Sequence, residues 1–427
     1  MMTSELCRVL TLQQEDADFA AAIDQARVTT PAVLGGGRFR YRGDVRCLSQ
    51  ERWRQMSAAC ESVLAAIDEA ITWLRAHPEA LEEFFEMPPS WQKVCLQGAP
   101  WWHVFARMDV FLTRDGRIQI CEINADTPSG QTDMWALHHA LPDAGGYAIP
   151  GRRYARRVFE IIEALPTLFP PAGESPVLAI VYPTDLPEDL DLIRAYQRLA
   201  QARGYQVLLG APVNLSIQED GRVALFGTPV DVLLRHYKTD WWAERRRAWY
   251  DAPPIPDAAP LEILDALLAA EAEGRVTILN PFGAMLAQTK KLFAFLWERP
   301  DVFSPSALEA IRQYIPPTYR FQSFTPEALL AQRERWVLKS EFGCEGDEVV
   351  VGSLTDAESW RIALKLVIPE RWVVQEFFEI EPLDDGVLPN FGVYLVGGEV
   401  CGLYTRVNSP QGITDVSAQA LPVVVES

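Results

Sequence analysis

The stretch "RMDVFLTRDGRIQICEINADTP" (107–128) carries the reading of the fold. Two runs of alternating apolar residues flank Asp115-Gly116, a dipeptide that favours the tight turn of a β-hairpin. With Asp115-Gly116 as a two-residue turn, Arg114 faces Arg117, Asp109 faces Glu122 and Arg107 faces Asn124. Strand alternation then puts Arg107, Asp109, Glu122 and Asn124 on one face. Two carboxylates directly opposite each other, with Cβ atoms about 5 Å apart, repel. A divalent cation turns that repulsion into binding, and the oxygens of Asp109, Glu122 and Asn124 suit Mg²⁺. Arg107 beside them would hold the phosphate oxygens that the metal also touches. The competing reading is a solvated face on which Arg107 bridges the two acids, and a three-residue loop would break the pairing. From the hairpin alone the two readings weigh equally.

Composition narrows the surroundings. The 427 residues are 48% hydrophobic, enough for a large core divided among two or three lobes. Lys and Arg number 39 against 58 Asp and Glu, a formal charge of −19. That balance argues against general nucleic-acid binding, which needs basic surface. It is compatible with a cationic substrate such as a polyamine, although many cytosolic proteins are simply acidic. The seven cysteines are scattered and never form Cys-x-x-Cys, so neither a disulfide framework nor a zinc knuckle is expected. The first twenty residues lack a signal-peptide pattern, and no run approaches the roughly 18 apolar residues of a membrane span. A soluble, cytoplasmic protein without a membrane partner is expected.

Along the chain, residues 50–85 read as one or two amphipathic helices, and 152–165 as a helix closed by "LFPPAGESP". "VLAIVYP", a helix stopped by Gly204 and "YQVLLG" form a βαβ unit. "VDVLLRHY" (230–237) adds a strand and "LEILDALLAAEAEG" a helix capped by Gly274. Residues 173–284 therefore read as an inserted α/β lobe between segments 1–172 and 285–427. In the last segment "QTKKLFAFLWERPDVF" reads as a helix. "WVLKSEFGCEGDEVVVG" is strand, glycine loop, strand, with Lys339 ahead of Gly343 and Gly346. Glycines let backbone approach a triphosphate and a lysine supplies charge, although glycine hairpins are common and Glu345, Asp347 and Glu348 would repel phosphate. "WVVQEFFE" (372–379) carries Gln375, Glu376, Phe377 and Phe378 along an edge that suits adenine or a core. "NFGVYLVGGEVCGLYTRVN" is a hairpin turning at Gly397-Gly398, with Arg406 on a face with Val400, Gly402 and Tyr404. Asp126, Thr127 and Ser129 fit a carboxylate pocket or a cap and turn. His138-His139 reads as surface, and the Trp-Trp pairs (101–102, 241–242) as packing.

In order, these pieces resemble the synthetase domain of the glutathionylspermidine synthase family. The resemblance rests on the opening hairpin, "VDVLLRHYKTDWW", "LNPFGAMLAQTKKLFAFLW", "VLKSEFGCEGDEVVVG" and "NFGVYLVGGEVCGLYTRVNSPQGITD". It implies an α/β (α+β) permuted ATP-grasp-type fold with an inserted Rossmann-like α/β lobe, in which Glu-x-Asn precedes the nucleotide lysines. It also implies a lone synthetase unit without the amidase domain of the bifunctional enzymes. Asp109, Glu122 and Asn124 then become Mg²⁺ ligands, with Arg107 near the transferring phosphoryl group. Lys290 matches the first nucleotide lysine, with Lys291 as its neighbour, and Lys339 matches the second. Gln375 to Phe378 would flank adenine and Arg406 would close on the phosphates. The chain departs from the family at Ser340, at Cys344 and in "YKTDWW" (237–242), regions that shape a substrate site.

The activity so implied is ATP-dependent ligation of a small-molecule carboxylate to an amine, through an acyl phosphate, with ATP and Mg²⁺. A glutathione-like peptide and a polyamine are one candidate pair. The alternative is an ATP-binding regulatory or scaffold protein that kept the cleft and lost ligation.

Overall fold

The computed structural model describes residues 8–10, 41–141, 146–165, 175–184, 190–243, 261–343, 348–408 and 418–427. A five-stranded antiparallel sheet runs Gln419–Leu421, Glu399–Asn408, Leu388–Val396, Phe105–Leu112, Ile118–Asn124. One of its faces (Met108, Val110, Ile123, Val393, Leu395, Leu403) joins the main core with the helix Gln50–Ala76. That helix is a single 27-residue element started by Ser49, whose side chain accepts from the Arg52 N–H. Its stripe of Met56, Cys60, Val63, Ile67, Ile71 and Leu74 is buried at helical spacing. Full burial of each larger aliphatic there contributes about 1.5–3 kcal/mol.

The opening hairpin reaches the expected pairing by an unexpected route. Arg107 faces Asn124 and Asp109 faces Glu122. The loop, however, has three residues (114–116). Thr113 N–H donates to the Arg117 carbonyl at 2.9 Å and Gly116 N–H to the Thr113 carbonyl at 2.8 Å. Gly116 closes it at φ 84°, a conformation that favours glycine. Such a loop slips the register by one and would turn Glu122 into the core. A bulge at Cys121, between the Asp109–Glu122 and Val110–Ile120 pairs, takes the slip back. The bulge also explains the odd composition of the strand. Ile118, Ile120 and Ile123 lie in the core, while Glu122 and Asn124 turn to the other side.

The last hairpin turns at Gly397-Gly398 as expected, with φ of 58° and 88°. It too is bulged, because Leu395 pairs with Val400 but Tyr394 with Gly402. Val400 therefore leaves the face of Arg406 and packs against the main core, a correction to simple alternation. Gly402, Tyr404 and Arg406 keep their common face.

A second, four-stranded antiparallel sheet runs Thr318–Arg320, Trp372–Glu376, Trp336–Ser340, Val349–Val351. Trp336, Leu338 and Val374 on one face pack on Trp360 of the helix Ala357–Leu366. A third sheet is parallel: Thr277–Leu279, Val232–Arg235, Val177–Val181, Gln206–Gly210. The helices Leu190–Gln201 and Leu261–Ala272 cover its two faces, which is why its strands are mostly apolar. Gly204 and Gly274 end those helices at positive φ. The expected helix over 288–303 is instead broken into Met285–Gln288 and Lys291–Glu298, with Thr289-Lys290 between. Among the described residues no helix is long and apolar enough to cross a membrane.

Candidate functional site

The five-stranded and four-stranded sheets face each other across a cleft of about 610 Å³. Asp109, Phe111, Cys121, Glu122 and Asn390 line one side, and Val337, Lys339, Val349, Val351 and Gln375 the other. Phe377, Phe378, Ile380 and Pro382 close an apolar end, where the Phe378 and Phe111 rings lie 5.6 Å apart. Arg114, Glu376 and Glu379 border that end, while Asp109, Glu122 and Lys339 line the rest of the cleft.

Asp109 is the centre of a charged cluster. Arg107 Nε donates to its Oδ1 at 2.8 Å, and Asn390 Nδ2 and Arg406 Nη2 donate to its Oδ2 at 3.0 and 2.8 Å. Arg107 can lie along the sheet because Gly392 stands beside it; a Cβ there would meet Arg107 Cδ at 2.9 Å. Arg107 Nη1 also donates to the Ser129 carbonyl at 3.0 Å. Burial alone would raise the Asp109 carboxyl, but Arg107, Arg406 and Asn390 hold it below the usual carboxylate range. Burial works against the Arg107 charge in turn, and Asp109 with its neighbours more than restores it.

Glu122 lies beside them, with Asn124 Nδ2 at 3.3 Å and Lys290 Nζ at 3.5 Å. Lys290 reaches this point because the helix breaks there. Its N–H donates to the Glu341 carbonyl at 3.0 Å and its Nζ to the Gly343 carbonyl at 2.6 Å. Lys291 points the other way, into a buried pocket with the Phe85 carbonyl at 2.7 Å and Glu86 at 3.0 Å. Of the adjacent pair, only Lys290 reaches Glu122, which lines the cleft.

On the facing sheet Lys339 donates to Gln375 Oε1 at 2.7 Å. Gln375 is thus committed to a lysine, while Glu376 sits at the rim with Arg335 at 3.4 Å. Gly346 and Cys344 lie outside the described residues. Asp126 does not join the cluster. Its carboxylate accepts from Arg235 Nη2 at 2.6 Å, Thr239 Oγ1 at 2.6 Å and Thr239 N–H at 2.7 Å, tying the end of the hairpin to the parallel-sheet lobe. Ser129 contributes its carbonyl, to Arg107 and to the Tyr394 hydroxyl, and Thr127 is half-buried next to it. His138, expected at the surface, is buried beside Gly151.

Among the described residues no three His, Cys, Asp or Glu side chains gather as a metal cluster. The candidate set is two carboxylates and one amide, a hard-oxygen set with open positions that fits Mg²⁺ and not zinc. Asp109 Oδ1 accepts one hydrogen bond and keeps a lone pair, and turning the Asn124 amide over would bring its oxygen beside Glu122.

Several supporting residues escape a reading of the sequence. Asn390 is opposite Arg406 on the last hairpin, and only that register could have signalled it. Gln288 Oε1 accepts the N–H groups of Ala125 and Asp126 at 3.0 and 3.1 Å. Asn280 accepts from Val104 and Phe105 N–H and donates to the Phe105 and Ala125 carbonyls, fixing both hairpin strands. Glu341 is buried beside Arg371 and Lys291, and burial pushes its carboxyl up to about 7 despite those cations.

A cleft between two antiparallel sheets, with Lys339 in one wall, Glu122 and its neighbour Lys290 at the other and an arginine–carboxylate cluster around Asp109, fits an ATP-grasp-related synthetase fold. The model described as glutathionylspermidine synthase preATP-grasp matches residues 55–426, and the chain belongs to that family. Among solved structures it is similar to a glutathione synthetase-like effector from Globodera pallida. The identity is 13%, 96% of this chain and 98% of that one are covered, and the TM-score is 0.57. It is also similar to a gamma-glutamylcysteine synthetase-like protein from Methylobacillus flagellatus, at 14% identity, 84% and 88% coverage and a TM-score of 0.45. Curated protein sequences yield no match. Family and fold together support an ATP-dependent ligase of the glutathione synthetase and glutathionylspermidine synthase kind.

Proposed function

We propose that the chain is an ATP-dependent carboxylate–amine ligase that forms an amide through an acyl phosphate, on a permuted ATP-grasp fold. The observation that carries this reading is the charge cluster around Asp109. Arg107, Arg406 and Lys290 surround Asp109 and Glu122, one positive charge in excess, with Lys339 across the gap. A triphosphate with its metal fits that balance, whereas either alone leaves a larger uncompensated charge. Mg²⁺, held by Asp109, Glu122 and Asn124, would neutralise phosphate oxygens as charge develops. Arg107 and Arg406 orient the transferring phosphoryl group, Lys290 and Lys339 hold the triphosphate, and the aromatic end takes the base. The carboxylate substrate attacks the γ-phosphorus and ADP leaves. The amine then attacks the acyl carbon, expels phosphate and loses a proton to give the amide. No protein nucleophile is required.

The acidic chain suits a cationic amine, so glutathione and spermidine are the first pair to try, in a cytoplasmic setting. ADP release with Mg²⁺ should require both a carboxylate and an amine from a broad panel. Tight ATP binding with no ADP from any pair would instead favour a regulatory or scaffold protein.

A further inference from the structure

Lys339 is almost fully buried, and its ammonium is set by a hydrogen-bond relay that begins two residues outside the cleft. On the cleft face of the four-stranded sheet Thr318 stands directly opposite Gln375, and Gln375 opposite Val337, on the same face as Lys339. The relay runs in one direction. Thr318 Oγ1 donates its only proton to the Pro316 carbonyl at 2.8 Å, an oxygen that can do nothing but accept. The threonine oxygen can then only accept from Gln375, whose Nε2 lies 2.9 Å away. The Cys121 carbonyl, at the bulge of the opening hairpin, lies 3.5 Å from the same Nε2 and makes the same demand. The amide therefore cannot turn over. Its oxygen is left facing Lys339 Nζ at 2.7 Å.

We infer that Thr318 is a positioning residue for ATP: by holding Gln375 Nε2 it fixes where the amide oxygen that accepts from Lys339 sits, and so where that ammonium stands in the cleft. The inference rests on the nucleotide reading of the cleft. Thr318 is fully buried and touches neither the cleft nor the charged cluster. Without its hydroxyl, Nε2 keeps only the Cys121 carbonyl at 3.5 Å, so the Gln375 side chain loses its fixed position, and its oxygen and the ammonium bonded to it shift together.

The test uses the full chain with Thr318→Val, of similar shape without the hydroxyl, and Thr318→Ser, which restores the hydroxyl in a smaller side chain. Binding of a non-hydrolysable ATP analogue with Mg²⁺ is measured by calorimetry, and the Lys339 Cε resonance is followed in nucleotide-free protein with ¹³C-labelled lysine. Thr318→Val should weaken the analogue about tenfold, as loss of a hydrogen bond to a charged group does. It should also displace the Lys339 resonance, while Thr318→Ser stays near wild type in both. Unchanged affinity and an unmoved resonance in Thr318→Val overturn the relay. Equal losses in the valine and serine variants, tracking a common fall in melting temperature, overturn it as well, because they report packing alone. Wild-type protein that binds no analogue overturns the nucleotide reading, and with it the role for ATP. That failure shows in the wild type, whereas failure of the relay alone shows only in the variants.

Discussion

Asp109 and Asp126 lie on or just after the same hairpin, are almost equally buried at 3% and 4% exposure, and each touches an arginine within 3 Å. Their surroundings part them. Asp109 lines the cleft, with its cations Arg107 and Arg406 beside it. Asp126 is closed in by Arg235 and Thr239, with every hydrogen bond used to join two lobes. A buried ion pair therefore does not mark a site by itself. Continuity with an open, charge-lined cleft does.

That contrast breaks if the two acids fail in the same way. Asp109→Asn should lower ATP turnover per folded molecule about 10³-fold, the scale of losing a preorganised electrostatic group, beside the stability lost where Arg107 stays buried without its carboxylate. Asp126→Ala should lose stability alone. It leaves Arg235 buried without its carboxylate and should cost about 3 kcal/mol in denaturant unfolding, with turnover per folded molecule retained.

A third buried acid sharpens the structural side of the comparison. Burial pushes Glu271 up to about 8 from an ordinary 4.5, beside Arg235 and Arg75. Between those values the unfolded chain has released the proton that the folded chain keeps. The stabilisation is complete below about pH 4.5 and is lost as pH rises toward 8. Glu271→Gln should flatten that slope and raise stability at pH 8 by on the order of 2 kcal/mol, measured by urea unfolding across pH. A wild-type slope in the variant would show that Glu271 is not the group responsible. The smallest effect separates the adjacent lysines. Lys290→Met should weaken an ATP analogue about tenfold, while Lys291→Met should leave binding intact and shift stability by only about 1 kcal/mol.

Much of the fold was legible because its signals are local. The βαβ unit, the glycine stops at 204 and 274 and the Gly397-Gly398 turn need only nearby residues. The pairing of Asp109 with Glu122 was legible for a partly mistaken reason, since the three-residue loop and the Cys121 bulge cancel. A bulge depends on which residues the sheet's other face must bury, and that is decided by the distant helix Gln50–Ala76. The same holds for Val400 and for the break at Lys290. Asn390, Gln288 and Thr318 were invisible because their roles arise across strands and lobes far apart in sequence.

The most direct test of the ligase follows an oxygen atom. With ¹⁸O in the carboxylate of an active substrate, glutathione first, acyl-phosphate chemistry transfers one labelled oxygen to the phosphate released. Mass spectrometry of that phosphate should find a single ¹⁸O per turnover when the amine and Mg²⁺ are present. Phosphate carrying oxygen from water alone, with no label from the carboxylate, would contradict the account.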